Sequence, residues 1–163
     1  MAVERGRVEV ATTAPAAAGQ LGVRVGVDLM AVRDVEDAVA RLGERYLTRL
    51  FTEHERACSE GPAGVVPESL AARFAAKEAV LKVLRPSGSR PEWRDIEVRR
   101  NADGSCDVEL HGAAADLAAA RGVDQVSLSL SHEAGIAVAV AVGTCPADGS
   151  PEDPSATRTP IRS

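Results

Sequence analysis

Residues 126–142 read Val-Ser-Leu-Ser-Leu-Ser-His-Glu-Ala-Gly-Ile-Ala-Val-Ala-Val-Ala-Val. Two apolar alternations of period two flank His132-Glu133-Ala134-Gly135, the pattern of two strands joined in a hairpin. Upstream, Ile96 and Val98, then Cys106, Val108 and Leu110, repeat it around the turn Asn101-Ala102-Asp103-Gly104. A first strand is expected where Val23, Val25 and Val27 alternate with Arg24, Gly26 and Asp28, giving it one apolar face. Helices fill the intervals. Asp34 reads as an N-cap, followed at helical spacing by Val35, Val39, Leu42, Tyr46 and Leu50. Thr52 with Glu55 fits a capping box opening a short helix. Pro67 introduces the most helix-prone stretch, Leu70 to Leu84, which Arg85-Pro86-Ser87-Gly88 ends. Gly112 to Arg121 reads as an Ala-rich helix stopped by Gly122. The order β, helices, ββ, α, ββ predicts an α+β domain of antiparallel hairpins packed with helices, not a doubly wound parallel sheet.

The whole chain has 163 residues, enough for one domain that buries about 70% of its unfolded surface. That domain is expected over 21–143, preceded by a flexible arm at 1–20. It is followed by a disordered Pro-rich tail at 144–163, where Pro146, Pro151, Pro154 and Pro160 stand among polar residues. Nineteen Lys+Arg against twenty-four Asp+Glu give a net charge of −5, which argues against a nonspecific nucleic-acid coat. One Trp, one Tyr and two Phe are too few for single-strand stacking platforms. No run of about eighteen apolar residues spans a membrane, and MAVERGRVEV lacks the apolar stretch of a secretion signal. Cys58, Cys106 and Cys145 form neither a disulfide framework nor a metal knuckle. A reduced, cytoplasmic location is the expectation.

Seventeen of the nineteen basic residues are Arg, so Lys77 and Lys82, five residues apart, stand out. Lysine's compact ammonium and movable pKa differ from guanidinium in ways that chemistry can use, although two surface lysines would look the same. Glu78 and Lys82 are an i, i+4 pair, and Phe74 extends their stripe one turn back. Taken alone, that pair reads first as a solvated ion pair of about 0.3–0.5 kcal/mol, a reading the Phe74 stripe weakens. Asp28 ends the first strand beside Gly26, a gap suited to close approach of a ligand or simply to a turn. Two carboxylates from separate elements are a common way of holding Mg²⁺, with water and phosphate completing the shell. His132 ends the Ser127, Ser129, Ser131 row, where a lone histidine is more often a hydrogen-bonded turn residue than a catalytic one. No GxGxxG, Walker loop, GxSxG elbow or HExxH occurs.

Four segments occur in a telling order. They are Val25-Gly26-Val27-Asp28, Arg73-Phe74-Ala75-Ala76-Lys77-Glu78-Ala79-x-x-Lys82, Trp93-x-Asp95-Ile96-Glu97-Val98 and Ser129-Leu130-Ser131-His132-Glu133. The set resembles the holo-acyl-carrier-protein synthases, the short subclass of 4′-phosphopantetheinyl transferases, over essentially all of 21–143. The resemblance implies a compact trimer with coenzyme A bound between neighbouring subunits. It implies a Mg²⁺-dependent transfer of phosphopantetheine from coenzyme A to a serine of apo acyl carrier protein, of fatty-acid or polyketide type, with release of adenosine 3′,5′-bisphosphate. Asp28 and Glu78 would ligate Mg²⁺ with the pyrophosphate, and Lys82 would face the phosphates. Arg73 and His132 would lie by the nucleotide, with its 3′-phosphate as their contact. Glu78, directly or through water, would accept the serine proton. Arg41, Arg45 and Arg49 would suit an acidic carrier helix. A noncatalytic module binding carrier protein or coenzyme A is the alternative, though such a module would tend to lose Asp28, Glu78 or Lys82. Two departures stand out: Leu84-Arg85-Pro86-Ser87-Gly88-Ser89 replaces the family's glycine-rich turn, and Arg33 with Asp34 displaces its usual arginine after the first Asp.

Overall fold

A computed structural model describes residues 21–62 and 64–146. The expected arm at 1–20 lies outside the described residues, as does the expected tail from residue 147 onward. Thr144 and Cys145 continue the last strand, paired with Val23 and Gly22.

The chain runs β1 (Leu21–Ala31), α1 (Val32–Leu42), α2 (Glu44–Leu50), α3 (Glu53–Ala57), β2 (Glu60–Gly61), β3 (Gly64–Val65) and α4 (Pro67–Leu84). A 3-10 turn (Trp93–Asp95) then leads to β4 (Ile96–Arg100), β5 (Cys106–Leu110), α5 (Gly112–Ala120), β6 (Gln125–Glu133) and β7 (Ile136–Pro146). Five strands form one antiparallel sheet in the order β1-β7-β6-β5-β4, as the α+β reading expects. Both hairpins, the Thr52–Glu55 capping box and Pro67 in the first turn of α4 stand where the sequence places them.

Two local expectations give way. The helix expected from Asp34 to Leu50 starts earlier, at Val32, and breaks at Gly43, whose φ of 52° favours a residue without a Cβ. Asp34 lies in the first turn of α1 and caps nothing; Ala31 holds the N-cap position. The alternation in β1 is present, but its apolar side is turned outward: Val23, Val25, Val27 and Leu29 are 45–65% exposed.

The reason lies in α4. Ala71, Ala72, Ala75, Ala76 and Ala79 are buried to within 2%, as are Ala137, Ala139 and Ala141 of β7. Small side chains on both partners bring the helix close to the sheet, and β1 must then offer its slimmest residue to the same helix. That residue is Gly26, where an added Cβ would lie 2.0 Å from the Ala79 carbonyl oxygen. Period-two geometry sends the neighbouring valines to the opposite face. There the register sets Val25 beside Val142, Val27 beside Val140 and Leu29 beside Val138, a continuous apolar surface on the side of the sheet away from α4. Behind α4, Val32, Val35, Leu47, Leu50 and Phe51 of the α1–α2 region close a second apolar cluster.

Candidate active site

Lys82 projects from the last turn of α4 toward the end of β1. Its Nζ lies 2.8 Å from Asp28 Oδ1 and donates to the Val27 carbonyl at 2.5 Å. Asp28 is mostly enclosed while the Lys82 head is about half exposed, so the pair sits at the lip of a surface. The expectation that Gly26 leaves room for a ligand is corrected here: the α4 backbone fills that room. The glycine serves the site indirectly, by letting α4 bring Lys82 up to Asp28. Glu78, one turn before Lys82 on the same face of α4, is partly buried and makes no hydrogen bond or ion pair among the described residues.

Of the two lysines, only Lys82 is at this site. Lys77 is fully buried, 2.8 Å from Glu55 Oε2, and donates to the carbonyls of Trp93 (2.8 Å) and Ile96 (2.6 Å). Burial pulls its pKa down, and Glu55 pushes it back up. Glu55 also accepts from the Val98 and Thr52 amides. This pair locks α3, α4 and β4 together.

A second feature opens across α4. Strands β5 and β6 share a single residue pair, Asp107 with Ser127, and diverge beyond it. Toward the His132 end they leave a cleft of about 440 Å³ whose lining includes Arg73, Arg100, Ser69, Ser131 and His132. No carboxylate among the described residues lines it. Arg73 is 5% exposed, and its Nη1 donates to the carbonyl (3.2 Å) and hydroxyl oxygens of Ser69, while its buried Nε lacks a partner among the described residues. A buried guanidinium without a counter-carboxylate, with donors to spare, suits an anion. Ser69 donates on to Ser59, and Ser59 to the Glu55 carbonyl, so the buried-pair region also holds Arg73 in place.

The structure therefore groups the candidate residues in two sets. Asp28, Glu78 and Lys82 lie on the β1 side of α4, and Arg73 and His132 on the β6 side. Arg73 and Lys82 are nine residues apart, about half a revolution in whole-turn remainder at 3.6 residues per turn. Arg100 was missing from the sequence-derived set. Its signal was parity, because it continues the inward Ile96, Val98 row of β4.

Two oxygen-donor carboxylates beside a lysine, one of them unpaired, fit a small hard cation that keeps water and phosphate among its ligands. Among the described residues no group of three or more His, Cys, Asp or Glu converges. No described helix is long and apolar enough to cross a membrane.

Residues 24–141 match the 4′-phosphopantetheinyl transferase superfamily. A holo-[acyl-carrier-protein] synthase from Desulforudis audaxviator is 45% identical over 124 residues, covering 76% of this chain and 94% of its own. A Chronobacterium ammoniagenes structure described as an ACPS–CoA complex superposes with a TM-score of 0.67 at 28% identity, over 76% of this chain and 98% of that one. The acyl carrier protein synthase of Mycobacterium tuberculosis gives a TM-score of 0.60 at 35% identity, over 77% of this chain and all of its own.

Proposed function

The chain belongs to the 4′-phosphopantetheinyl transferase superfamily, and we propose on that premise that it moves the 4′-phosphopantetheine of coenzyme A onto a serine of an apo acyl carrier protein, of fatty-acid or polyketide type. The observation that carries the reading is the pairing of a carboxylate–lysine lip with a carboxylate-free arginine cleft. One suits a metal-held pyrophosphate, and the other a phosphorylated nucleotide.

Asp28 and Glu78 would hold Mg²⁺, which when bound supplies charge neutralisation to the pyrophosphate oxygens. Lys82, anchored on Asp28, presents its ammonium to the phosphates and to the charge building on the departing adenosine 3′,5′-bisphosphate. Glu78 has no partner among the described residues to occupy its oxygens, and takes the serine proton directly or through a water. Arg73, Arg100 and His132 bind the nucleotide end, with the 3′-phosphate at the unpaired Arg73 donors.

One chain carries these two halves on opposite flanks of the same helix. A homotrimer with coenzyme A between neighbours joins the β1-side half of one subunit to the β6-side half of the next. The exposed Val23, Val25, Val27, Leu29 surface supports such an assembly, since patches of that kind mark interfaces. Subunit mixing tests it. Asp28→Asn and Arg73→Gln are each expected to be inactive. Mixed and exchanged at equal amounts, they are expected to recover about a quarter of the wild-type sites, because each mixed cyclic trimer regains one intact site. Mixtures that stay as inactive as their parents, with exchange verified by mass, would contradict a shared site.

The carrier contact is assigned to the exposed arginines Arg41, Arg45 and Arg49 of α1 and α2. Arg41→Glu with Arg45→Glu is expected to raise the apparent KM for carrier protein about tenfold or more while leaving that for coenzyme A unchanged. Equal effects on both would remove the assignment.

A further inference from the structure

Cys58 follows α3 as its C-cap, is exposed, and contributes to the wall of the Arg73–His132 cleft. Its Sγ lies 3.5 Å from Nε2 of His54, one turn earlier. Arg100 lines the same cleft, as does Arg73, whose buried Nε is unpartnered among the described residues, and no described carboxylate lines it with them. The Cys58 thiol thus shares its cleft with two guanidinium groups, and its exposure leaves it open to reagents in solution. The same cations concentrate anions in front of it.

We propose that Cys58 is a thiol–disulfide exchange site for anionic low-molecular-weight disulfides, and that the resulting adduct closes the cleft. The Cys58 thiolate attacks one sulfur of the reagent and its S–S bond breaks. A Cys58–S–S–R bond forms, and the other half leaves as a thiolate that takes a proton from water. Cys58 is oxidised and the departing sulfur reduced, so no further oxidant is needed. The other two thiols are poorer candidates: Cys145 is buried, and Cys106 is half-buried with its pKa raised by desolvation. An adduct at Cys58 acts twice on the cleft. It fills the mouth, and it adjoins Ser59, whose hydroxyl receives the hydrogen bond of Ser69, the residue that steadies Arg73. The consequence for transfer rests on the nucleotide reading of the cleft; the exchange chemistry does not.

The test treats the whole protein with glutathione disulfide, which is anionic, and with neutral hydroxyethyl disulfide. Rates are normalised to those of a free cysteine derivative, and adducts are read by intact mass and peptide mapping. The expected result is a single adduct on Cys58, with a normalised preference of about fivefold or more for the anionic reagent that shrinks at high salt. Arg100→Gln, at an exposed position, is expected to reduce that preference. Cys58→Ser is expected to abolish the adduct, and Cys106→Ser to leave it. First labelling of Cys106, a Cys58–Cys106 disulfide, equal normalised rates, or no adduct each overturn the proposal. Coenzyme A is expected to protect Cys58. Labelling of Cys58 that coenzyme A leaves untouched, in a protein that still transfers, upholds the exchange site and overturns the closure of the cleft and its nucleotide reading.

Discussion

Glu78→Gln is expected to reduce phosphopantetheine transfer at least about a hundredfold, the scale on which even the outer partners of metal ligands act. The far-ultraviolet circular dichroism and unfolding midpoint are expected to stay at wild-type values. The two halves of this expectation have one cause. Glu78 is partly buried on α4 yet spends neither oxygen on a hydrogen bond or ion pair within the described fold. The amide of Gln has the same shape, so α4 loses no packing. What disappears is the charge that holds a divalent cation and the base that receives a serine proton. Asp28 is different, because its Oδ1 already meets Lys82 at 2.8 Å and its replacement also frees the lysine head. Glu78 is thus the cleaner probe. Substantial turnover of Glu78→Gln in the presence of Mg²⁺ would remove it from the metal site.

Lys77→Met is the largest stability effect expected. Removing one member of a fully buried ion pair leaves the other charge without its partner, at a cost of about 3–5 kcal/mol. Here Glu55 would remain at 0% exposure, holding the Val98 and Thr52 amides but facing no cation, and the Trp93 and Ile96 carbonyls would lose their shared donor. Urea unfolding measures the loss. Glu55→Gln removes the charge and keeps one of the two acceptor oxygens, at the cost of either the Val98 or the Thr52 amide bond, so combining it with Lys77→Met relieves the stranded charge. The double variant is expected to be more stable than the sum of the single effects requires. A loss below about 1 kcal/mol for Lys77→Met would show that the pair adds little to the fold. Transfer by the folded fraction is expected to persist, in contrast to Glu78→Gln, although the two residues are adjacent in sequence.

That contrast marks where reading the sequence succeeded and where it stopped. Period-two alternation and turn residues placed both hairpins and the last helix before any coordinates, because those signals are local. The scarcity of lysine drew attention to Lys77 and Lys82 together. What separates them is which face of α4 meets the core, and α4 is apolar or small around most of its girth, so no periodicity announces it. The burial of Glu55 was hidden for a related reason. Its capping-box role is local and was legible, but its partner comes from another helix. The outward turn of the β1 valines follows from the close approach of Ala79 to Gly26, a contact between segments over fifty positions apart in the chain. Asp28 and Lys82 were each legible through the motifs they carry, but the ion pair read from spacing was Glu78 with Lys82, whereas the fold pairs Lys82 with Asp28. Arg100 was missed although strand parity set it on the Ile96, Val98 side, since the cleft it lines arises only from the divergence of β5 from β6.

The most direct test of the account is the intact mass of an apo carrier protein incubated with this protein, coenzyme A and Mg²⁺, beside a sample containing EDTA. The account predicts a gain of one phosphopantetheine on the carrier, abolished by EDTA and restored by excess Mg²⁺. A carrier that stays apo with fatty-acid and polyketide types alike, while the protein still binds coenzyme A, would contradict it and leave a binding module in place of a transferase.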